Sequence, residues 1–115
     1  MSRLLVINPN MSAHVSALLQ RHVQAAAGSH VAVRTATARF GAPYIACEAS
    51  YAVAAHAALD VWAHEITQPH APPDAVLIGC FGDPGLLALR QVSQLPVTGL
   101  AEASFIAAAE QGRFA

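Results

Sequence analysis

The chain has 115 residues, of which 55% are apolar and 11% are charged, and its formal net charge is −1. This length suffices for one small domain with a single core. The near-neutral charge argues against a nucleic-acid-binding surface and against a polybasic membrane patch. Two cysteines cannot form a secreted disulfide scaffold, and no apolar run reaches the roughly 18 residues of a membrane span. We therefore expect a cytoplasmic protein that binds neither nucleic acid nor membrane.

The first part of the chain predicts two strands separated by a helix. Residues 4–7 form a continuous apolar run, which is typical of a strand buried on both faces of a parallel sheet. Ser12 is placed to cap a helix that Gly28 would end. Residues 31–33 predict the second strand, and residues 37–48 are expected to form a loop.

The rest of the chain continues this alternation. In order, we predict an alanine-rich helix over residues 49–68, a strand over 75–78, a short helix from 84, a strand over 95–98 and a helix over 101–111. Asp83 is the predicted cap of the short helix, and Pro84 is its predicted first residue. Alternating strands and helices favour an α/β fold, with a four-stranded parallel sheet and flanking helices in a single domain.

Cys80 is the strongest candidate for chemistry. Ligands of open parallel sheets bind beyond the carboxyl ends of the strands, and Cys80 follows the third strand, between Gly79 and Gly82. The positive end of the helix that follows would lower the pKa of the thiol and favour the thiolate. Gly82 would leave backbone amides accessible to a small anion. The alternative role for Cys80 is that of a small buried residue at a strand end.

Three other polar residues fall near the same edge. Asn8 could hold a substrate carbonyl or carboxylate, or it could satisfy the backbone of its own turn. Glu102 lies in the first turn of the last helix, where acids usually serve the helix dipole. Cys47 is expected to be a packed or solvent-facing thiol. The pair His64-Glu65 begins like a zinc motif, but glutamine stands where the second histidine is required, so we predict no metal site.

Four segments at the predicted carboxyl ends have a familiar order and spacing. They are residues 8–10 (NPN), 41–45 (GAPYI), 80–86 (CFGDPGL) and 96–103 (PVTGLAEA). Together they resemble the aspartate/glutamate/hydantoin racemase superfamily, most closely its hydantoin and allantoin racemase branch. The resemblance implies a flavodoxin-like lobe and a cofactor-independent reaction with two cysteines. One thiolate removes the proton alpha to a carbonyl, and a second thiol returns a proton on the opposite face.

The resemblance also implies roles for individual residues. Cys80 would be the first catalytic base, and the substrate would be a small molecule such as a hydantoin or another amino-acid derivative. Asn8 would contact the polar edge of this substrate. The other residues expected to line its pocket are Phe40, Tyr44, Gly79, Phe81, Gly82 and Glu102.

The family's chains fold as two similar lobes with the site between them, and the second cysteine lies in the other lobe. We therefore expect the N-terminal lobe only, inactive by itself. Three origins stay open: a truncation, a partner chain that supplies the missing lobe, or a stand-alone lobe that binds a ligand. A homo-oligomer is a further expectation. The alternative functions are a non-catalytic ligand-binding or self-associating module, and a related decarboxylase or cis–trans isomerase.

Overall fold

The computed structural model describes residues 1–113, in which strands and helices alternate. They are β1 (Ser2–Asn8), α1 (Ala13–Ala27), β2 (Val31–Thr37), α2 (Glu48–Glu65), β3 (Ala75–Ile78), α3 (Leu86–Ser93), β4 (Val97–Gly99) and α4 (Leu100–Glu110). All pairings are parallel, in the order β2-β1-β3-β4. The predicted four-stranded α/β fold is therefore confirmed.

The main core lies between one face of the sheet and the helices α2 and α3. Alternate residues of the central strands point to this face, and each is at most 1% exposed: Leu5, Ile7, Val76 and Ile78. They pack with Val61 and Trp62 of α2 and with Leu89 of α3. Full burial of such side chains contributes about 1.5–3 kcal/mol each, which explains why these strands read as continuous apolar runs.

Helix α1 covers the opposite face of β1 and β2. Ser12 caps it as predicted, since the Ser12 hydroxyl accepts a hydrogen bond from the Val15 amide at 3.2 Å. Gly28 ends it with a φ of 83°, a conformation that favours glycine. Beyond the reach of α1, strands β3 and β4 leave an apolar groove of about 500 Å³, lined in part by Leu77 and Pro96.

Several predicted boundaries move for identifiable reasons. β2 extends to Thr37 because it pairs with the whole of β1, up to the register Asn8↔Thr37. Helix α2 ends at Glu65 rather than at residue 68. Beyond Glu65, the side chains of Thr67 and Gln68 donate to the His64 carbonyl and replace the hydrogen bonds of a continuing helix. Within residues 1–113, no helix has the length and apolarity that crossing a membrane requires.

Candidate active site

The loop after β1 is organised by the buried side chain of Asn8. Its amide nitrogen donates to the Ser12 carbonyl at 3.1 Å and to the Ser16 hydroxyl at 2.9 Å. Its amide oxygen accepts from the backbone N–H of Asn10 at 3.1 Å. The Ser16 hydroxyl lies 2.6 Å from that of Thr37, at the end of β2. Asn8 therefore ties the loop to α1 and β2, and both of its N–H donors are already used.

Asn8→Ala is expected to destabilise the fold by about 3 kcal/mol, because it leaves buried polar groups of the loop unpaired. Asn10→Ala is the matched control, since the Asn10 side chain accepts from the partly buried Ser12 amide and its loss should cost about 1 kcal/mol. Urea unfolding of both variants measures the difference. Equal stabilities would contradict the structural role of Asn8.

The loop after β3 carries Cys80 and is held at both ends. The Gly79 amide donates to the Ile7 carbonyl at 2.8 Å, and a Cβ at Gly79 would lie 2.6 Å from a Leu19 methyl carbon. Gly82 adopts a φ of +102°, and its carbonyl accepts a hydrogen bond from the Tyr51 hydroxyl on α2. The Cys80 thiol is half-buried, with its Sγ 3.5 Å from the Phe81 carbonyl. Tyr51 was not found by sequence reasoning, because no local motif marks a contact across 31 residues.

The predicted role of Asp83 as the cap of the short helix is wrong. Gly85, with a φ of 82°, precedes α3, which begins at Leu86. The Asp83 carboxylate instead accepts hydrogen bonds from the backbone amides of Ala101 at 2.9 Å and Glu102 at 2.8 Å. Asp83 therefore caps α4 from a distance in sequence and fastens the Cys80 loop to the end of β4.

The predicted lowering of the Cys80 pKa is also wrong. Burial raises the pKa of the Cys80 thiol, and the negative charge of the nearby Asp83 raises it further. The larger cause is the burial of the thiol, and the second is the Asp83 carboxylate, while α3 begins only at Leu86 and not directly after Cys80. Both effects favour the protonated thiol over the thiolate.

Cys47 presents the opposite environment. It is exposed, which agrees with the solvent-facing alternative given by the sequence analysis, and it lies at the N-cap of α2. Its Sγ lies 3.4 Å from the Ser50 hydroxyl, and hydrogen bonding to Ser50 lowers the pKa of the thiol.

The two thiols should consequently alkylate with different pH dependences. At neutral pH iodoacetamide should modify Cys47 first, because its lowered pKa gives more thiolate and its side chain is exposed. Cys80 should react more slowly at neutral pH and gain reactivity only at higher pH, because its pKa is raised. Mass spectrometry of Cys47→Ser and Cys80→Ser variants across pH isolates each rate. A faster Cys80 at pH 7 would contradict the assignment.

The other predicted pocket residues differ in what they contact. Glu102 turns toward Arg90, with which it forms an ion pair, and accepts from the Thr98 hydroxyl at 2.9 Å. The hydrogen bond from Arg90 lowers the pKa of Glu102. Phe40 packs edge-to-face on His56, with ring centroids 5.0 Å apart, while the side chain of Tyr44 is 66% exposed.

The two hydrogen bonds of Asp83 thus bring together two of the four edge segments, those around Cys80 and Glu102. A shallow depression of about 370 Å³ lies beside the Cys80 loop, between Tyr51, Gly82 and the start of α3. In residues 1–113 no group of three or more histidine, cysteine or acidic side chains is placed to hold a metal ion. The arrangement therefore offers one half-buried thiol on a rigidly held loop at an open edge.

The comparison with protein families shows to which family the chain belongs. The model of the family described as Asp/Glu/Hydantoin racemase matches residues 4–115, nearly the whole chain. The chain belongs to the Asp/Glu/hydantoin racemase family. The family resemblance that was predicted from the four edge segments is confirmed.

Individual members of the Asp/Glu/hydantoin racemase family are similar to this chain over most of its length. The chain is 35% identical over 112 residues to the hydantoin racemase of Paenarthrobacter aurescens, covering 92% of this chain and 46% of that protein. Among solved structures it matches the allantoin racemase from Klebsiella pneumoniae with a TM-score of 0.87 and 34% identity. It matches the allantoin racemase from Pseudomonas fluorescens with a TM-score of 0.78 and 27% identity. These matches cover 96% and 88% of this chain, but 44% and 41% of the solved chains. The chain therefore spans less than half the length of these relatives.

Proposed function

We propose that this chain provides one half of a cofactor-independent racemase site for a small cyclic ureide such as a hydantoin. The observation that carries the proposal is the Cys80 loop at the carboxyl edge of a sheet that superposes on an allantoin racemase with a TM-score of 0.87. 5-Substituted hydantoins and allantoin share a ring in which the stereogenic carbon lies next to a carbonyl. Its proton is therefore the one that a thiol base can exchange.

Cys80 is the proton-exchanging group in this half-site. Since burial and Asp83 both raise the pKa of Cys80, the isolated lobe presents a thiol, which acts as the proton donor. A base on the other face of the substrate removes the α-proton, and Cys80 returns a proton to the face that it contacts. For the other enantiomer the roles are reversed. A single half supplies one of these groups, so one copy alone does not invert the substrate.

The neighbouring residues support this chemistry in two ways. Phe81 and Gly82 follow Cys80 directly, and we assign their backbone amides to the carbonyl oxygen on which negative charge develops. We assign the exposed ring of Tyr44, together with Phe40, to the apolar side of the substrate on the side of the second loop. Asn8, Gly79 and Glu102, which are buried or already paired, act as positioning residues that hold the loops.

A graft tests the proposal directly. Replacing the aligned segment of the Paenarthrobacter aurescens hydantoin racemase by this chain should give a hybrid that racemises 5-substituted hydantoins, measured by loss of optical rotation. A correctly folded hybrid without activity would contradict the proposal. The unmodified relative and a hybrid whose Cys47 is replaced by serine are the positive controls.

A non-catalytic module that binds a small ligand is the second candidate. The raised pKa of Cys80 favours it, because a protonated thiol is a poor base and suits a merely packed position. The hybrid separates the two candidates. A module would leave the hybrid folded and able to bind a hydantoin, as calorimetry would show, but without any racemisation.

A further inference from the structure

The outer edge of β2 faces away from the rest of the sheet. Within residues 1–113, β2 is an end strand and pairs with β1 on one side. The even-numbered residues at its two ends bond β1, through the His30 carbonyl at 3.3 Å and the Ala38 amide at 2.9 Å. Successive residues of a strand direct their backbone groups to opposite edges. The odd-numbered Val31 and Val33 therefore present theirs at the outer edge.

Gln24 of α1 takes the place of a neighbouring strand at this edge. Its side-chain nitrogen donates to the Val31 carbonyl at 2.8 Å, and its side-chain oxygen accepts from the Val33 amide at 3.0 Å. The nitrogen also donates to the Gly28 carbonyl at 3.0 Å, which holds the side chain at the end of α1. Because a glutamine side chain carries both donors and an acceptor, Gln24 satisfies two backbone groups that an added strand would use.

Gln20 extends this cover along the same edge. It lies four residues before Gln24, and residues at this spacing share one face of a helix. Its side-chain nitrogen donates to the Val33 carbonyl at 2.8 Å, and its side-chain oxygen accepts from the Thr35 hydroxyl at 2.8 Å. Three consecutive backbone groups of the outer edge, from the Val31 carbonyl to the Val33 carbonyl, are thus bonded within the chain.

Without the two glutamines, β2 would present a surface suited to strand pairing. Residues 31–37 (VAVRTAT) are rich in β-branched side chains and contain neither proline nor glycine. These are features of segments that associate edge to edge. The charged residue of the segment, Arg34, is paired with Glu65 of α2, so it gives little repulsion between two such edges.

We propose that the outer edge of β2 is a strand-pairing surface that Gln20 and Gln24 keep closed, and that the partner excluded is the β2 edge of a second copy. Two identical edges pair antiparallel about a two-fold axis, which would join the two sheets into one continuous sheet. The glutamines and the second copy compete for the same backbone groups. The inference concerns association alone and is independent of the reaction proposed for Cys80.

The closed edge is favoured because its hydrogen bonds form within one molecule. Helix α1 already packs over β1 and β2, so Gln20 and Gln24 reach the edge without any loss of translational freedom. A second copy would lose that freedom on docking and would also have to displace both side chains. The native chain should therefore not pair through β2.

Hydrogen exchange of the Val33 amide tests the closing bond itself. In dilute solution Gln24→Ala should speed the exchange of this amide by about fivefold or more, because its acceptor is removed. The Arg34 amide, which points toward β1, should stay protected and is the internal control. An unchanged exchange rate at Val33 would overturn the inference.

A labelled peptide of residues 29–37 is the probe for strand pairing, with binding followed by fluorescence anisotropy. The double variant Gln20→Ala and Gln24→Ala should bind the peptide roughly a hundredfold more tightly than the native chain, because three backbone groups become free. Gln91→Ala is the matched control, since Gln91 is exposed on α3, which packs against α2 and β4, and it should behave as the native chain does. Equal binding by the native chain and the double variant would overturn the inference.

Sedimentation equilibrium tests the pairing of whole copies. The double variant should form dimers or larger assemblies at concentrations where the association state of the native chain does not change. Thr35→Pro in the double variant should reverse this, because a proline at an outward-facing position of an edge strand obstructs pairing and leaves the bonds to β1 intact. Circular dichroism verifies folding, and Gln24→Ala alone replaces the double variant if that variant does not fold. Association that survives Thr35→Pro uses another surface and would overturn the inference.

Discussion

Replacing Cys80 by serine in the active hybrid is expected to lower racemisation by roughly a hundred- to ten-thousandfold. Serine preserves the size of the side chain but holds its proton far more tightly than a thiol does. It can therefore neither take up nor return the α-proton at a useful rate. Optical rotation of a 5-substituted hydantoin, followed with each enantiomer as the starting material, measures the loss in both directions.

Exchange of the α-proton in D₂O distinguishes a catalytic loss from a structural one. If the second thiol of the hybrid is intact, it should still exchange deuterium at one face, so exchange from one enantiomer should survive without inversion. Cys47→Ser is the matched control, because the Cys47 thiol is exposed and takes no part in the proposed reaction. A fully active Cys80→Ser hybrid would refute the assignment of Cys80.

Gly99→Ala is expected to destabilise the isolated chain by about 3 kcal/mol. A Cβ at Gly99 would lie 2.0 Å from Oδ1 and 2.3 Å from Cγ of Asp83. The Asp83 side chain must therefore swing away, which breaks its two hydrogen bonds to the start of α4. Urea unfolding would measure the loss, and the Cys80 loop should alkylate faster once the carboxylate has moved.

A double-mutant cycle isolates this contact. Asp83 has a φ of 54°, a conformation that glycine adopts without strain, so Asp83→Gly removes the whole clashing side chain without backbone cost. In that background Gly99→Ala should cost much less than in the native chain, giving a coupling energy of about 2 kcal/mol. Additive effects of the two substitutions would contradict the close approach of Gly99 and Asp83.

Most elements could be predicted because their signals are local. The apolar run of residues 4–7, the cap at Ser12 and the glycine at position 28 each act on their immediate neighbours. The boundaries that moved depend on partners elsewhere. β2 continues to Thr37 only because β1 lies beside it for its full length.

The candidate site could likewise be predicted only in part. Its location beyond β3 followed from the order of strands and helices, and the family from four short segments. The direction of the Cys80 pKa shift could not be predicted, because it depends first on how far the fold buries the thiol and then on where it places the Asp83 carboxylate. The sequence places Asp83 next to Pro84 and a short helix, whereas the fold gives it the amides of Ala101 and Glu102.

The sequence by itself determined the α/β class, the family and the position of Cys80 at the carboxyl edge of the sheet. These follow from hydrophobic periodicity and short-range turn chemistry, which a linear chain already contains. Only the tertiary structure decided that the Asn8 side chain is used in holding its loop, that burial and the Asp83 carboxylate raise the pKa of Cys80, and that α4 stays largely exposed. The physical reason is that hydrogen-bond partners, burial and charge at these residues come from segments distant in the chain, and folding alone brings those segments together.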